Sequence, residues 1–304
     1  MRYLFSRQFD HFRAVCATGN QRQAAARAGI SQPALSKSIH LLEQNFGTEL
    51  FERSPKGMIP TKAGRLLAER MARMEREARY AELEVGGLVE GTGGTIYIGT
   101  GLAWSWKHVP VVLSKFHAEF PNVIIEAVNG ITDVLLPRLL NGDLDLIISD
   151  VHDIALPPEF VVEKTWHVRR RAWVRSGHPL AGRNDVTWAD LAEFQWAGHN
   201  ADVRLTGLIA RHFQSLDLPL PTIILRASSL MTILGMLAGS DLVGILSDNL
   251  SAEAHQRGIV PLDIDTNGWD LEAGVVYRPE VMDIRPFRRL LSITKTETNG
   301  FAPA

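Results

Sequence analysis

The chain has 304 residues, a formal net charge of −2 and a hydrophobic content of 45%, the composition of a globular protein with room for about two or three compact units. Apolar runs fall short of the ~18 residues that a membrane helix needs, and charged residues interrupt the N-terminal segment, so we expect a cytoplasmic protein without a signal peptide. The single cysteine, Cys16, excludes an intrachain disulfide and a cysteine-based metal cluster.

Residues 31–46 are predicted to form one helix with two chemically different faces. Ser31 is a suitable N-cap and Gly47 a suitable end. An apolar stripe at helical spacing predicts the buried face: it consists of Leu35, Ile39, Leu42 and Phe46. The other face carries small and polar side chains: Gln32, Pro33, Ser36, Lys37 and His40.

The preceding segment adds a second helix and a tight turn. Asn20 can cap a short alanine-rich helix, and Gly29 suits the turn that follows it. Helix, glycine turn and polar-faced helix together are typical of a helix-turn-helix, whose second helix enters the major groove of DNA. An ordinary pair of packed helices is the alternative interpretation.

Residues 51–60 predict a small β-wing beside this helix. Ser54-Pro55-Lys56-Gly57 is a turn signal, and the wing would carry Arg53 and Lys56. Residues 1–65 contain ten Lys and Arg against four acidic residues, whereas the rest of the chain has an acidic excess. This distribution favours phosphate contact by the N-terminal segment alone.

These segments resemble the DNA-binding domain of the LysR-type transcriptional regulators. The motifs that carry the resemblance are Ala24-Ala25, Ser31-Gln32-Pro33-Ala34-Leu35-Ser36, Leu42-Glu43, Gly47, Leu50-Phe51-Glu52-Arg53 and Pro60-Thr61-Lys62-Ala63-Gly64. The resemblance implies DNA contact by Gln32, Pro33, Ser36 and Lys37, with His40, Arg53 and Lys56 added from their placement. Glutamine suits adenine and lysine suits guanine, with phosphate contact as the alternative. For Arg53, the alternative is a salt bridge to Glu49 or Glu52.

A long helix is predicted after the wing. Its apolar residues alternate at steps of four and three, as in a coiled coil: they are Leu67, Met71, Met74, Ala78, Ala81, Val85 and Leu88. We expect this seam to pack against a second copy of the chain, as the resemblance also implies. The alternative is that it packs against the second domain of its own chain.

From residue 95 onward the pattern changes to alternating strands and helices. Strands are predicted at 95–98, 123–128, 144–148, 171–174, 195–197, 222–225, 242–246 and 271–277, and helices at 109–120, 134–140, 188–194, 204–216, 230–238 and 286–291. We interpret them as two lobes with parallel sheets, joined by crossovers near 160–166 and 261–268. The predicted division is a winged helix-turn-helix at 1–62, a linker dimerisation helix at 63–90 and an α/β domain at 91–304. Lobe I comprises 95–160 and 269–304, and lobe II comprises 161–268.

This second part resembles the effector-binding domain of the same family, which is similar in fold to type II periplasmic binding proteins. The resemblance depends on three motifs: Gly142-Asp143-Leu144-Asp145-Leu146, His178-Pro179-Leu180-Ala181, and Ala238-Gly239-Ser240 followed by Val243-Gly244-Ile245-Leu246. Residues 166–171, Trp-His-Val-Arg-Arg-Arg, depart from the family pattern, which is apolar and acidic there.

Ligands of open α/β lobes bind at the carboxyl ends of strands. That rule selects a predicted effector site made of Thr100, Gly101, Asn129, Gly130, Asp150, His199, Asn200, Ser228, Ser229 and Ser247. Each of them could instead be a plain cap or turn residue. Asp150-Val151-His152-Asp153 lacks the ligand spacing of a metal site, and nucleophile motifs are missing, so we predict neither a metal, nor a cofactor, nor an enzyme.

The sequence therefore predicts a ligand-responsive transcriptional regulator that binds double-stranded DNA. An α/β enzyme or a solute receptor fused to a DNA-binding head is the alternative. The resemblance implies a dimer through the linker helix, a homotetramer, and contact with RNA polymerase. Asp150 has no neighbouring cation in sequence, and Trp104 and Trp106 offer flat apolar faces. We therefore expect a sugar, a sugar acid or an amino compound as effector, rather than a small dicarboxylate.

Overall fold

The computed structural model describes residues 7–54, 57–86, 93–151, 154–200, 202–266 and 269–298. The chain forms two compact units, Met1–Ala78 and Arg79–Ala304. Within the described ranges, no helix is long and apolar enough to cross a membrane.

The first unit is a winged helix-turn-helix. Its elements are α1 (Arg7–Thr18), α2 (Gln21–Arg27), α3 (Gln32–Phe46), β1 (Phe51–Ser54), β2 (Gly57–Pro60) and the first part of α4 (Lys62–Gly86). The predicted caps are confirmed: the Asn20 side chain accepts hydrogen bonds from the first turn of α2, and Ser31 Oγ accepts one from the amide of Ala34. Gly29 and Gly47 both have φ of +65°, the left-handed conformation that glycine adopts without strain.

The core of this unit confirms most of the predicted stripe on α3. Leu35, Ile39 and Leu42 are buried together with α1 and the small residues of α2. Phe46 differs from the prediction, because its side chain is 48% exposed. It is the last residue of α3, next to the left-handed turn at Gly47, where the helix has passed the packed core.

The α4 helix presents different faces along its length. Met71 is buried in the core of the first unit, with Leu67 packed against that core. Farther along, Tyr80 and Leu83 belong to the core of the second unit. On the predicted seam, Ala78 and Ala81 are exposed and Val85 is 60% exposed, while Leu88 lies outside the described residues. The residues that pack into the second unit therefore lie off the seam.

The second unit contains two five-stranded sheets, each covered by helices. Lobe I consists of β3 (Thr95–Gly101), α5 (Leu102–Glu119), β4 (Ile124–Gly130), α6 (Thr132–Asn141), β5 (Leu146–Asp150), β6 (Val161–Val168), β12 (Leu271–Tyr277) and α11 (Arg285–Thr298). Its strand order is β4-β3-β5-β12-β6. The pairs of β3 with β4 and β5 are parallel, whereas β12 is antiparallel to β5 and β6.

Lobe II repeats this plan. It consists of β7 (Arg170–Arg175), α7 (Trp188–Ala192), β8 (Trp196–His199), α8 (Val203–Ser215), β9 (Ile223–Ala227), α9 (Leu230–Gly239), β10 (Val243–Ser247), α10 (Ser251–Gln256) and β11 (Ile259–Pro261). Its strand order is β11-β7-β10-β8-β9. Strand β8 runs parallel to β9 and β10, and β7 runs antiparallel to β10 and β11. Both sheets are therefore mixed, not purely parallel as expected.

The change of lobe lies at a different residue from the one predicted. Residues 160–166 were expected to be a crossover, with lobe II beginning at 161. Instead Val161–Val168 is strand β6, paired with β12 in the sheet of lobe I. The chain enters lobe II through Arg169, between β6 and β7. Charged residues obscured this strand in the sequence. They are tolerated because β6 is an edge strand, where charges are common, and Glu163 and Lys164 pair with Lys295 and Glu272.

Candidate functional site

The first candidate site is the polar face of α3. Gln32, Pro33, Lys37 and His40 are all exposed, and Ser36 is half-buried. They lie opposite the buried stripe of Leu35, Ile39 and Leu42, which fixes the helix in its unit. This arrangement leaves amide, hydroxyl and ammonium groups on one accessible face, the chemistry that base edges and phosphates accept.

The wing connects to α3 through a half-buried carboxylate. Glu43 Oε1 accepts hydrogen bonds from the amides of Leu50, at 2.9 Å, and Phe51, at 3.3 Å, just where β1 begins. Arg53 lies in β1 opposite Met58, but its side chain is outside the described residues, and so is Lys56. The choice between DNA contact and a salt bridge for Arg53 therefore stays a prediction, as does DNA contact by Lys56.

The second candidate site is a cavity of about 140 Å³ between the lobes. Five of the predicted effector residues line it: Gly101, Gly130, Asp150, His199 and Ser247. Each lies at the carboxyl end of a strand, as the general rule for α/β sheets requires. Most of the remaining wall is apolar and includes Leu102, Trp104, Ile131, Val168, Leu230, Ile233 and Leu250.

Gly101 and Thr132 determine the shape of the cavity at the strand ends of lobe I. A Cβ atom at Gly101 would lie 2.7 Å from Trp104 and 2.8 Å from Ser149 Oγ, so glycine keeps this corner open. The Thr132 hydroxyl donates to the carbonyl oxygen of Asp150 at 2.6 Å and lies 3.0 Å from Ser149 Oγ. These two hydroxyl groups are therefore already used within the protein.

The other five predicted effector residues are not among the residues that line this cavity. Thr100 is buried and donates to Asn129 Oδ1 at 2.6 Å, so these two side chains tie β3 to β4. The amide of Asn200 donates to the carbonyl oxygen of Ala227. Ser229 caps α9, and Ser228 precedes it on the exposed surface. Trp106, expected to face the ligand, is also outside the lining and is 45% exposed.

Two ion pairs border the cavity, and the sequence prediction missed three of their four members. Arg204 Nη2 lies 2.7 Å from Asp150 Oδ2, joining the end of β5 in lobe I to the first turn of α8 in lobe II. Arg170 Nη2 lies 3.8 Å from Asp202 Oδ2. Asp150 has no cation near it in sequence, but the expectation that its carboxylate is unpaired was wrong, because the fold brings Arg204 to it from 54 residues away.

Arg170 has an unusual environment. Its side chain is only 12% exposed, and its Nη1 group is buried without a hydrogen-bond acceptor. Asp202 uses its other oxygen, Oδ1, to accept from the amide of Leu205 at 2.8 Å. Burial lowers the pKa of Arg170, and the nearby carboxylates of Asp202 and Asp150 oppose that shift. The guanidinium is thus placed in a largely apolar cavity with part of its donor capacity unused.

One signal in the sequence points toward this residue. The run Arg169-Arg170-Arg171 belongs to the segment that departs from the family pattern, but the run alone does not show which arginine turns inward. In the structure, Arg170 lines the cavity, whereas Arg171 pairs with Asp248 outside its lining. Successive side chains of a strand point to opposite faces, and the fold decides which face is the cavity.

Among the described residues, no group of three or more His, Cys, Asp or Glu side chains could hold a metal ion. His152 and Asp153, which follow Asp150 in the segment considered for metal binding, lie outside the described residues.

Comparison with known proteins places both units in one family. Residues 6–65 match the bacterial regulatory helix-turn-helix protein family of lysR type. Residues 90–298, more than half of the chain, match the LysR substrate binding domain. The chain belongs to the LysR family. It is a LysR-type DNA-binding transcriptional regulator with an effector-binding domain, and the fold class predicted from the sequence is confirmed.

Individual LysR-family relatives are distant but match over most of their length. The SDS degradation transcriptional activation protein of a Pseudomonas species is 29% identical, with 84% of this chain and 83% of that protein covered. GbpR of Azospirillum brasilense is 28% identical, with 84% and 76% covered. The structure of full-length CbnR complexed with target DNA has a TM-score of 0.62 at 19% identity, with 96% and 99% covered. Full-length OxyR from Pseudomonas aeruginosa has a TM-score of 0.62 at 18% identity, with 96% and 93% covered.

Proposed function

We propose that this LysR-family regulator reads an operator with the polar face of α3 and responds to a small effector bound between its lobes. The observation that carries the proposal is the cavity of about 140 Å³, which is bordered by residues of both lobes. A ligand there would contact both sheets and would favour one relative placement of the lobes, which is how binding energy shifts a conformational equilibrium.

Base reading is proposed for Gln32 and Lys37, and backbone or groove contact for Pro33, Ser36 and His40. Their exposure on one face supports this assignment. For the wing residues Arg53 and Lys56 we propose phosphate or minor-groove contact, without reading of bases in the major groove.

The exposed seam of α4 supports dimerisation. Ala78, Ala81 and Val85 continue the four-three spacing but are left uncovered within the single chain. Two such helices could bury these residues against each other. We propose that dimers formed this way assemble further into a homotetramer, act in the cytoplasm and contact RNA polymerase at the promoter.

The DNA-binding proposal is tested with the purified full chain and sites selected from random duplex DNA. Gln32→Ala and Lys37→Ala should each lower the preference for the selected site by about 1–3 kcal/mol, because each removes a base contact. Lys56→Ala should weaken specific and non-specific binding alike, since a phosphate contact carries no sequence information.

Asn45→Ala is the matched control, because Asn45 is exposed near the other end of α3 and should not alter the preference. Footprinting and competition titrations give both affinities. An unchanged site preference in Gln32→Ala and Lys37→Ala would rule out base reading by these residues.

Effector control is tested by adding small metabolites to the full chain and measuring thermal stability and operator affinity. A ligand that binds the native state raises Tm. An effector should also change the affinity for the operator, and a compound set in which no member does so would contradict the proposal.

A further inference from the structure

Four of the five charged side chains on the wall of the cavity form two pairs of unequal strength. Arg204 and Asp150 are within hydrogen-bond distance, at 2.7 Å. Arg170 and Asp202 are 3.8 Å apart, which is too long for a hydrogen bond. Asp202 Oδ1 is also engaged by the amide of Leu205. The unused donor capacity of the wall is therefore on Arg170, whose Nη1 is buried without an acceptor.

The Arg170 side chain is 12% exposed on the cavity wall, and a guanidinium with an unsatisfied donor favours a ligand that supplies an acceptor. Leaving a buried N–H unpaired has a substantial desolvation cost, and hydrogen bonds between a guanidinium and a carboxylate are among the strongest available. We propose that the cavity binds a small monoanion, a monocarboxylate whose carboxylate accepts from Arg170 and whose compact body is largely apolar. This inference rests on the proposed effector function and specifies the chemical class of its ligand.

The charges exclude a dianion. Asp150 and Asp202 lie on the wall with the two arginines, and Asp133, also on the lining, is exposed to solvent. The first carboxylate of a ligand would meet Arg170, whose guanidinium has an unsatisfied donor. A second carboxylate on the ligand would have to lie close to these aspartates or displace Asp150 from Arg204. Like charges that lie so close together repel each other.

The rest of the wall disfavours a neutral polyol or an amine. Most of it is apolar, and hydroxyl groups placed there would lose hydrogen bonds to water without replacement. The hydroxyl groups of Thr132 and Ser149 are engaged with each other and with the backbone. Of the three effector classes expected from the sequence, only the sugar acid brings a carboxylate to Arg170, and its hydroxyl groups do not suit the apolar wall.

The volume of the cavity suits a small ligand. A dry cavity of roughly 150 Å³ accommodates benzene, and this cavity measures about 140 Å³. The body attached to the carboxylate is therefore comparable to a single six-membered ring or a short branched chain.

The test uses the full chain and three matched sets of probes. Butyrate, isovalerate and benzoate are the monoanions, their amides are the neutral controls, and succinate and phthalate are the dianionic controls. Thermal shift and calorimetric titration are measured on the wild type, Arg170→Met and Arg171→Met. Arg171 is the matched control, since it is the next residue on the same strand and pairs with Asp248 outside the cavity lining.

At least one monoanion should raise the Tm of the wild type and of Arg171→Met, while its amide and the dianions should not. Arg170→Met should weaken that binding by about tenfold or more. Without ligand, its Tm should be lower than that of the wild type, because the change leaves the largely buried Asp202 carboxylate without its guanidinium partner. If Arg170→Met does not fold, Arg170→Lys keeps the charge, and it should fold and bind the monoanion more weakly.

Equal binding of an amide, tighter binding of a dianion, full retention of binding in Arg170→Met, or no binding of any monoanion would overturn the inference. The monoanion inference and the proposed function can be refuted by different outcomes. A neutral or cationic compound that raises Tm and changes operator affinity would leave the effector-controlled regulator intact while refuting the monoanion.

Discussion

A Cβ atom at Gly64 would lie 2.0 Å from the backbone carbonyl oxygen of Leu50. This glycine is inside α4, where alanine would normally be the better helix former. The close approach is organised by Thr61, whose hydroxyl accepts from the amide of Gly64 at 3.0 Å and donates to the carbonyl oxygen of Glu49 at 2.8 Å. Gly64 therefore allows the start of α4 to pack directly on the chain that enters the wing.

Gly64→Ala is expected to destabilise the DNA-binding unit by about 1–3 kcal/mol, because the backbone at Leu50 must move away to make room. Scanning calorimetry of the full chain measures the change. Gly235→Ala is the matched control, since Gly235 is a helical glycine of α9 and a Cβ atom added there would have nothing within 4 Å. It should be neutral or slightly stabilising. Equal stability of Gly64→Ala and the wild type would contradict the packing argument.

At the scale of elements, α3 and α4 illustrate how one helix serves two purposes. The apolar stripe of α3 holds it in place, and the opposite face is left exposed, where we propose DNA contact. In α4, Met71 is buried in the first unit and Leu83 in the second, while Val85 on the predicted seam remains 60% exposed. A valine that is exposed in the single chain, in register with two exposed alanines, is expected where the helix of a second chain covers it in a dimer.

Val85→Lys should therefore weaken the dimer while leaving each unit folded, because a charge would be buried in the seam. Glu84→Lys is the control: it introduces the same side chain at the neighbouring exposed position, off the seam. Sedimentation velocity gives the oligomeric state, and circular dichroism gives the fold. A dimer of unchanged strength in Val85→Lys would show that the seam is not an interface.

At the scale of the whole molecule, two buried histidines and the half-buried His212 should make the stability of the α/β unit depend on pH. Burial lowers the pKa of His108, His178 and His212 below the usual value of 6.5. His212 packs against the ring of Trp188, with centroids 4.5 Å apart. His178 Nδ1 accepts from the amide of Leu180 at 3.1 Å, so the neutral ring is the form that the fold accommodates.

Since the unfolded chain takes up protons at these histidines before the folded chain does, stability should be greatest above pH 6.5 and decline as the pH falls below it. The decline should begin before the carboxyl groups titrate. Thermal unfolding at stepped pH values measures it, with His212→Gln expected to reduce the slope and His117→Gln, at an exposed position in α5, expected to leave it unchanged. A Tm that is flat across this interval would contradict the assignment.

The sequence by itself determined most of the elements and their order, although β6, α10 and β11 were not predicted. Local signals carry this information: Ser31 and Gly47 bound α3, the stripe of Leu35, Ile39 and Leu42 orients it, and short apolar runs mark the strands of both lobes. Such features depend on residues a few positions apart, so they can be inferred without knowing the fold. Strand β6 was not predicted from the sequence, because its charged residues are stabilised by partners far along the chain, Lys295 and Glu272.

Only the tertiary structure decided which side chains meet in the cavity. The rule that ligands bind at strand ends selected Gly101, Gly130, Asp150, His199 and Ser247 correctly as lining residues. It could not show that Arg204 neutralises Asp150 or that Arg170, not Arg171, faces the cavity. Charge pairing depends on distance in space, and these partners are brought together by the sheets and by the crossing of the chain between lobes. The chemical class of the ligand is therefore a property of the fold rather than of any single motif.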